Sequence, residues 1–163
     1  MTLKKINAIV IIFAILFFII GLSFSINISP MIDSNKQTSF WYIFNNNSLA
    51  EMNAIFLGTI TVGIYSTIYL FMNFVSMGII VSQILKDYSL IQCLNMFIYH
   101  GFFEIPAMIF TTSLGIYIPY SLIKMFKTKN LDYKTMIKNF LLIILLTFIA
   151  AFIETKITPI FMR

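Results

Sequence analysis

The groups best suited to chemistry in this chain gather in one apolar run, Tyr99-His100-Gly101-Phe102-Phe103-Glu104-Ile105-Pro106-Ala107, which holds the only histidine. An imidazole and a carboxyl four residues apart share a face of a continuous helix. Ionisable groups at membrane depth are expensive and are rarely kept there without a purpose. Catalysis is poorly served by what surrounds them. A hydrolytic metal needs at least three well-placed ligands, and one His, one Cys and scattered carboxylates do not supply them. There is no Gly-x-Ser-x-Gly elbow, no pair of intramembrane aspartates and no phosphate-binding glycine loop. No catalytic residue, metal or cofactor is expected, and any use of ATP must come from a partner.

Proline and glycine shape the expectation for this stretch. Proline lacks an N–H and is best tolerated in the first turn of a helix, and Gly101 favours a break just upstream of Pro106. A helix is therefore expected to start near Phe102 or Phe103, with Glu104 in its first turn, where the helix dipole favours a carboxylate. His100 would reach back to Glu104 or to the freed N–H groups, making a polar hinge rather than an active site.

The elements around this segment follow from composition. The chain is 60% apolar and 10% charged, with 18 Phe, 10 Met and 8 Tyr in 163 residues. No soluble domain of this length buries that much hydrocarbon, so the expected class is all-α, a polytopic integral membrane bundle. The net charge of +5 does not indicate nucleic acid, because the lysines sit at the ends of apolar segments as topology signals do. Cys93, the single cysteine, reads as a small buried hydrophobe.

A single membrane domain over 1–163 is expected, with spans near 6–26, 50–72, 74–98, 102–123 and 139–160. Lys4 and Lys5 precede the first span and are assigned to the cytoplasm. Residues 27–49, with Pro30, Asp33, Lys36 and Asn45-Asn46-Asn47, read as an outer loop, with Trp41 and Tyr42 at the headgroup level. The block from Leu49 to Leu85 would reach roughly 55 Å as one helix, against a hydrocarbon core of about 30 Å. Met72-Asn73-Phe74 is the expected turn, and His100-Gly101 the expected break in the block from Tyr88 to Phe126. Lys124, Lys127, Lys129, Lys134 and Lys138 mark a cytoplasmic loop at 124–138. Three crossings between these loops bring the total to about five, with the N-terminus inside and the C-terminus outside. Lys86-Asp87 fits this scheme badly. Either the bundle interior screens the pair, or 74–100 forms two half-helices, so broken or re-entrant helices are expected around 73–106.

Small residues recur at spacings of four: Ala54 and Gly58, then Thr59, Gly63 and Thr67, then Gly78 and Ser82. Such columns let helix backbones approach closely in lipid. They serve packing within the bundle, with a dimer face as the alternative.

The stretch from His100 to Ala107, with Gly115 beyond it, resembles the signature of the stage II sporulation protein M family. Asn53, Gly58, Gly63, Asn73 and Gly78 match further positions of that pattern, and the resemblance covers roughly residues 50–123. Tyr99 and Phe74 depart from it, where the family often has Pro and Gly. The resemblance implies a non-enzymatic multi-span protein acting through partners. One implied role is a subunit working with a separate ATPase in bacteriocin-like peptide export, maturation or immunity. Another is a septal or envelope scaffold that recruits peptidoglycan hydrolases during sporulation. A third reading from the residues is a small channel or carrier lined by Asn53, Asn73, His100 and Glu104. Membrane lipid, other membrane proteins and a second copy of the chain complete the expected partners, and nucleic acid is excluded.

Overall fold

The computed structural model describes residues 2–24, 39–128 and 131–156, with positions 87, 95–100 and 127–128 described by backbone alone. Among the described residues the chain forms five helices: α1 (Leu3–Ser23), α2 (Phe40–Ile60), α3 (Ile64–Asp87), α4 (Leu90–Thr128) and α5 (Tyr133–Lys156). The fold is all-helical, as composition demanded. Among the described residues, four segments are long and apolar enough to cross a membrane: Leu3–Ser23, Ile64–Lys86, Gly101–Phe126 and Tyr133–Lys156. Helix α2 carries Asn45-Asn46-Asn47, Glu51 and Asn53 and falls outside that group.

Helix α4 is the centre of the bundle and packs against each of the other four. Many of its buried side chains over the middle turns are small or hydroxylated, with Ala107, Thr111, Thr112 and Ser113 inside beside Met108 and Leu114. Small side chains there let the surrounding helices approach closely. Helix α1 lies on α3 and α4 and buries one stripe, Ile6, Val10, Ala14 and Gly21. Its other faces present Ile12, Ile15, Leu16 and Ile19 outward. A helix apolar all round is suited to hydrocarbon on its free side.

The turns fall elsewhere than expected. Helix α3 runs straight through Met72-Asn73-Phe74, because the Asn73 amide donates to the Tyr69 carbonyl one turn back at 2.8 Å. The polar side chain is thereby satisfied inside the helix. The chain instead reverses at Thr61-Val62-Gly63, where Val62 (φ 54°) and Gly63 (φ 92°) leave the right-handed region. The Gly63 N–H donates to the Gly58 carbonyl at 2.6 Å, the long bond of a Schellman ending. The Tyr65 N–H donates to the Thr61 hydroxyl at 3.0 Å. The segment assigned to an outer loop is helical from Phe40 onward, while 27–38 lies outside the described residues.

The break expected at His100-Gly101 is at Tyr88-Ser89. Ser89 and Gln92 form a reciprocal cap: the Ser89 N–H donates to Gln92 Oε1 at 3.0 Å, and the Gln92 N–H to Ser89 Oγ at 3.5 Å. Helix α4 then continues for 39 residues with Pro106 and Pro119 inside it. The helices are therefore interrupted within 73–106 only at the α3–α4 junction, and both α3 at Asn73 and α4 at Gly101 run on without a break. Glycine inside a helix costs only about 1 kcal/mol. Prolines in membrane helices are tolerated because neighbouring helices re-satisfy the freed backbone groups.

Candidate functional site

Continuity of α4 moves Glu104 from a helix start to the helix interior, half-buried and away from any terminal dipole. Its carboxyl is close enough to interact electrostatically with Glu51 on α2, and both carboxyls act on the Tyr69 phenol of α3. Glu51 is the more deeply placed of the two, at 4% exposed. Across from it on α5, Thr147 Oγ1 stands 2.6 Å from Glu51 Oε2 and 2.9 Å from the Ile143 carbonyl. Thr147 itself is 2% exposed. Helices α2 and α5 thus bring a carboxyl and a threonine hydroxyl into contact, with the Glu104 carboxyl of α4 and the Tyr69 phenol of α3 within electrostatic range of that carboxyl.

Helix periodicity explains how α2 delivers its carboxyl. Glu51, Ala54, Ile55 and Gly58 are its buried residues over these turns and occupy one face. That periodicity was legible in the sequence, as a carboxylate on the same face as the small-residue column. Glu51, Tyr69 and Thr147 were nevertheless not among the expected site residues. Thr147 carried no signal of its own, since it lies 96 residues from Glu51 and meets it only through the fold.

Beside the carboxyls, a tight three-helix junction fixes the spacing. Ser66 is fully buried, and its hydroxyl donates to the Ala54 carbonyl at 2.7 Å. A Cβ added at Gly58 or at Gly115 would collide with the Ser66 hydroxyl. So α2, α3 and α4 meet where two glycines face one serine, and the approach requires the absence of both side chains.

The expected site residues divide accordingly. Gly58, Gly78 and Gly115 sit at close helix approaches, whereas Gly63 serves the turn through its positive φ and touches Ile116. Gly101 is buried and Pro106 half-buried within α4. Asn53 is exposed on the outer face of α2, and the Asn73 amide is bonded to its own helix. His100 is helical in backbone, and its side chain lies outside the described residues. Among the described residues no group of three or more His, Cys, Asp or Glu is placed to hold a metal ion.

The α4–α5 end carries exposed Lys124, Lys134 and Lys138. Asp132 leads into α5 there and accepts a hydrogen bond from the Tyr117 hydroxyl at 2.8 Å and one from the Thr135 N–H at 3.3 Å. The Tyr117 bond, then the Thr135 bond, hold its carboxyl below the ordinary value of 3.8, with Lys124 adding to the effect.

The sequence profile described as Stage II sporulation protein M matches residues 8–159, well beyond the 50–123 region of the motif. An uncharacterized protein of Methanocaldococcus jannaschii is 36% identical over 135 residues, covering 77% of this chain and 74% of that one. No solved structure matches.

Proposed function

The chain belongs to the stage II sporulation protein M family, and from that premise we propose that it is a non-enzymatic membrane subunit that works with a separate ATPase on a hydrophobic, bacteriocin-like peptide. The observation that carries this reading is the cationic α4–α5 end, where Lys124, Lys134 and Lys138 are exposed and Asp132 is held in place by Tyr117. A cationic turn between two apolar helices belongs on the cytoplasmic side by the positive-inside rule. Lys4 and Lys5 at the start of α1 share that assignment, which puts the N-terminus in the cytoplasm of a cell-membrane protein. The surface there is suited to an acidic patch on a soluble partner.

Any use of ATP in export, maturation or immunity comes from such a partner, because the chain offers no phosphate-binding loop. The test is affinity purification of the tagged chain from its native membrane, followed by identification of bound proteins and measurement of peptide export and tolerance. Recovery of an ATPase that is lost on replacing Lys124, Lys134 and Lys138 by glutamate supports the reading. No co-purifying ATPase, together with unchanged export and tolerance in Glu104→Gln, refutes it.

A second reading, an envelope scaffold for peptidoglycan hydrolases, draws on the exposed Trp41 and Tyr42 at the start of α2. Loss of partner localisation on replacing both aromatics by alanine, with the lysine variants unaffected, would favour it.

A further inference from the structure

Helices α2 and α5 leave between them a groove of about 200 Å³ that the proposed function does not use. Phe44, Met52, Phe140 and Ile144 line its walls, and Met52 is 51% exposed, so the groove opens on the apolar outer surface of the bundle. Glu51 and Ser48 are its polar lining residues, and Ser48 Oγ is buried without a hydrogen-bond partner. An apolar groove that holds a carboxyl gives hydrocarbon, rather than water, access to that group.

The bonds around Thr147 specify which form of the carboxyl fits. A threonine hydroxyl has a single hydrogen. Thr147 Oγ1 nonetheless lies at bonding distance from two oxygens, Glu51 Oε2 at 2.6 Å and the Ile143 carbonyl at 2.9 Å. With an ionised Glu51, the single Thr147 hydrogen would have to be shared between the two oxygens, leaving each with a weaker bond. With a proton on Glu51, the carboxyl donates to Thr147 Oγ1 and Thr147 donates to the Ile143 carbonyl. Both contacts are then hydrogen bonds, and no charge is buried.

The surroundings favour the same form. Among the described residues, the groups that interact with Glu51 from the packed helices are Thr147 on α5, Tyr69 on α3 and Glu104 on α4. None of these is a cation, and a second carboxyl close by disfavours another negative charge. Burying an isolated carboxylate is costly enough that the group takes a proton instead.

We propose that Glu51 is kept as a neutral carboxylic acid hydrogen-bonded to Thr147, and that the apolar α2–α5 groove gives lipid-soluble groups access to it. The site is independent of the ATPase reading and stands or falls without it.

The experiment uses the full chain in liposomes at neutral pH. Dicyclohexylcarbodiimide partitions into lipid and adds to protonated carboxyls, whereas a water-soluble carbodiimide reports carboxyls that water reaches. The expected result is an adduct that peptide mass mapping assigns to Glu51, formed by the lipid-soluble reagent and not by the soluble one, and lost in Glu51→Gln. Infrared spectroscopy should show a carboxylic-acid C=O band that disappears in Glu51→Gln and moves to higher frequency in Thr147→Val, as the hydrogen bond is removed. Labelling of Glu51 by the water-soluble reagent, adducts only at other carboxyls, or no acid band in the wild-type chain would overturn the proposal. Should Glu51→Gln fail to fold, the wild-type adduct map and the Thr147→Val band shift still decide it.

Discussion

Gly21 of α1 and Gly78 of α3 hold their helices at backbone contact: a Cβ built on Gly78 would lie 2.8 Å from the Gly21 Cα and collide with the Phe18 carbonyl. The obstacle is backbone on both sides, so no flexible side chain can move aside. Gly78→Leu should push α1 off α3 and cost about 1–3 kcal/mol, the usual range for overpacking. Thermal unfolding in detergent micelles measures this, and a midpoint equal to the wild type would contradict so close a crossing.

The column containing Gly58 faces Ser66 within the same chain. In a Cys93→Ala background, Gly58→Cys should give no disulfide-linked dimer, whereas Asn53→Cys on the outer face of α2 should react readily with a lipid-soluble maleimide. A dimer band from Gly58→Cys under oxidising conditions would show that the column is open to another molecule.

Val62 occupies the left-handed region at φ 54°, where a β-branched side chain is strained by roughly 1–2 kcal/mol. It is 65% exposed, so a substitution there sacrifices little packing. Val62→Asn, which accepts that backbone conformation more easily, should raise the thermal midpoint. A lower midpoint would mean that the valine side chain is used in some other way.

Asp132 is held below its ordinary value of 3.8 chiefly by the Tyr117 hydroxyl. A lowered folded-state value stabilises the fold above the unfolded value, and that contribution disappears as pH falls through the folded one. Tyr117→Phe should move the Asp132 titration upward toward the ordinary value and flatten the acid limb of the stability profile. Carbon-detected NMR of labelled aspartate in micelles reads the first effect directly, and an unchanged titration would remove Tyr117 as the cause.

Several features were legible because their signals are local. Long apolar runs identified the helical membrane class without any tertiary information. The lysines between α4 and α5 marked that end of the bundle. The turn positions were harder. Asn73 looked like punctuation, yet its amide bonds back to Tyr69 and the helix continues. Gly63 looked like packing, yet its positive φ makes it the turn. The start of α4 did have a local signal, the Ser89-x-x-Gln92 cap, which the neighbouring His100-Gly101 pair overshadowed.

The sequence by itself determined the solvent this protein is built for, the family it belongs to and the cationic end of its bundle. These depend on composition, motif and charge within short windows, which no folding event alters. Only the tertiary structure decided which polar groups meet. Glu51 and Thr147 are 96 residues apart, and Ser66 joins Gly58 to Gly115 across three helices. Helix periodicity specifies a face but not its partner. The partner is chosen by which helices can approach closely, and here glycine placement and the central position of α4 set that approach.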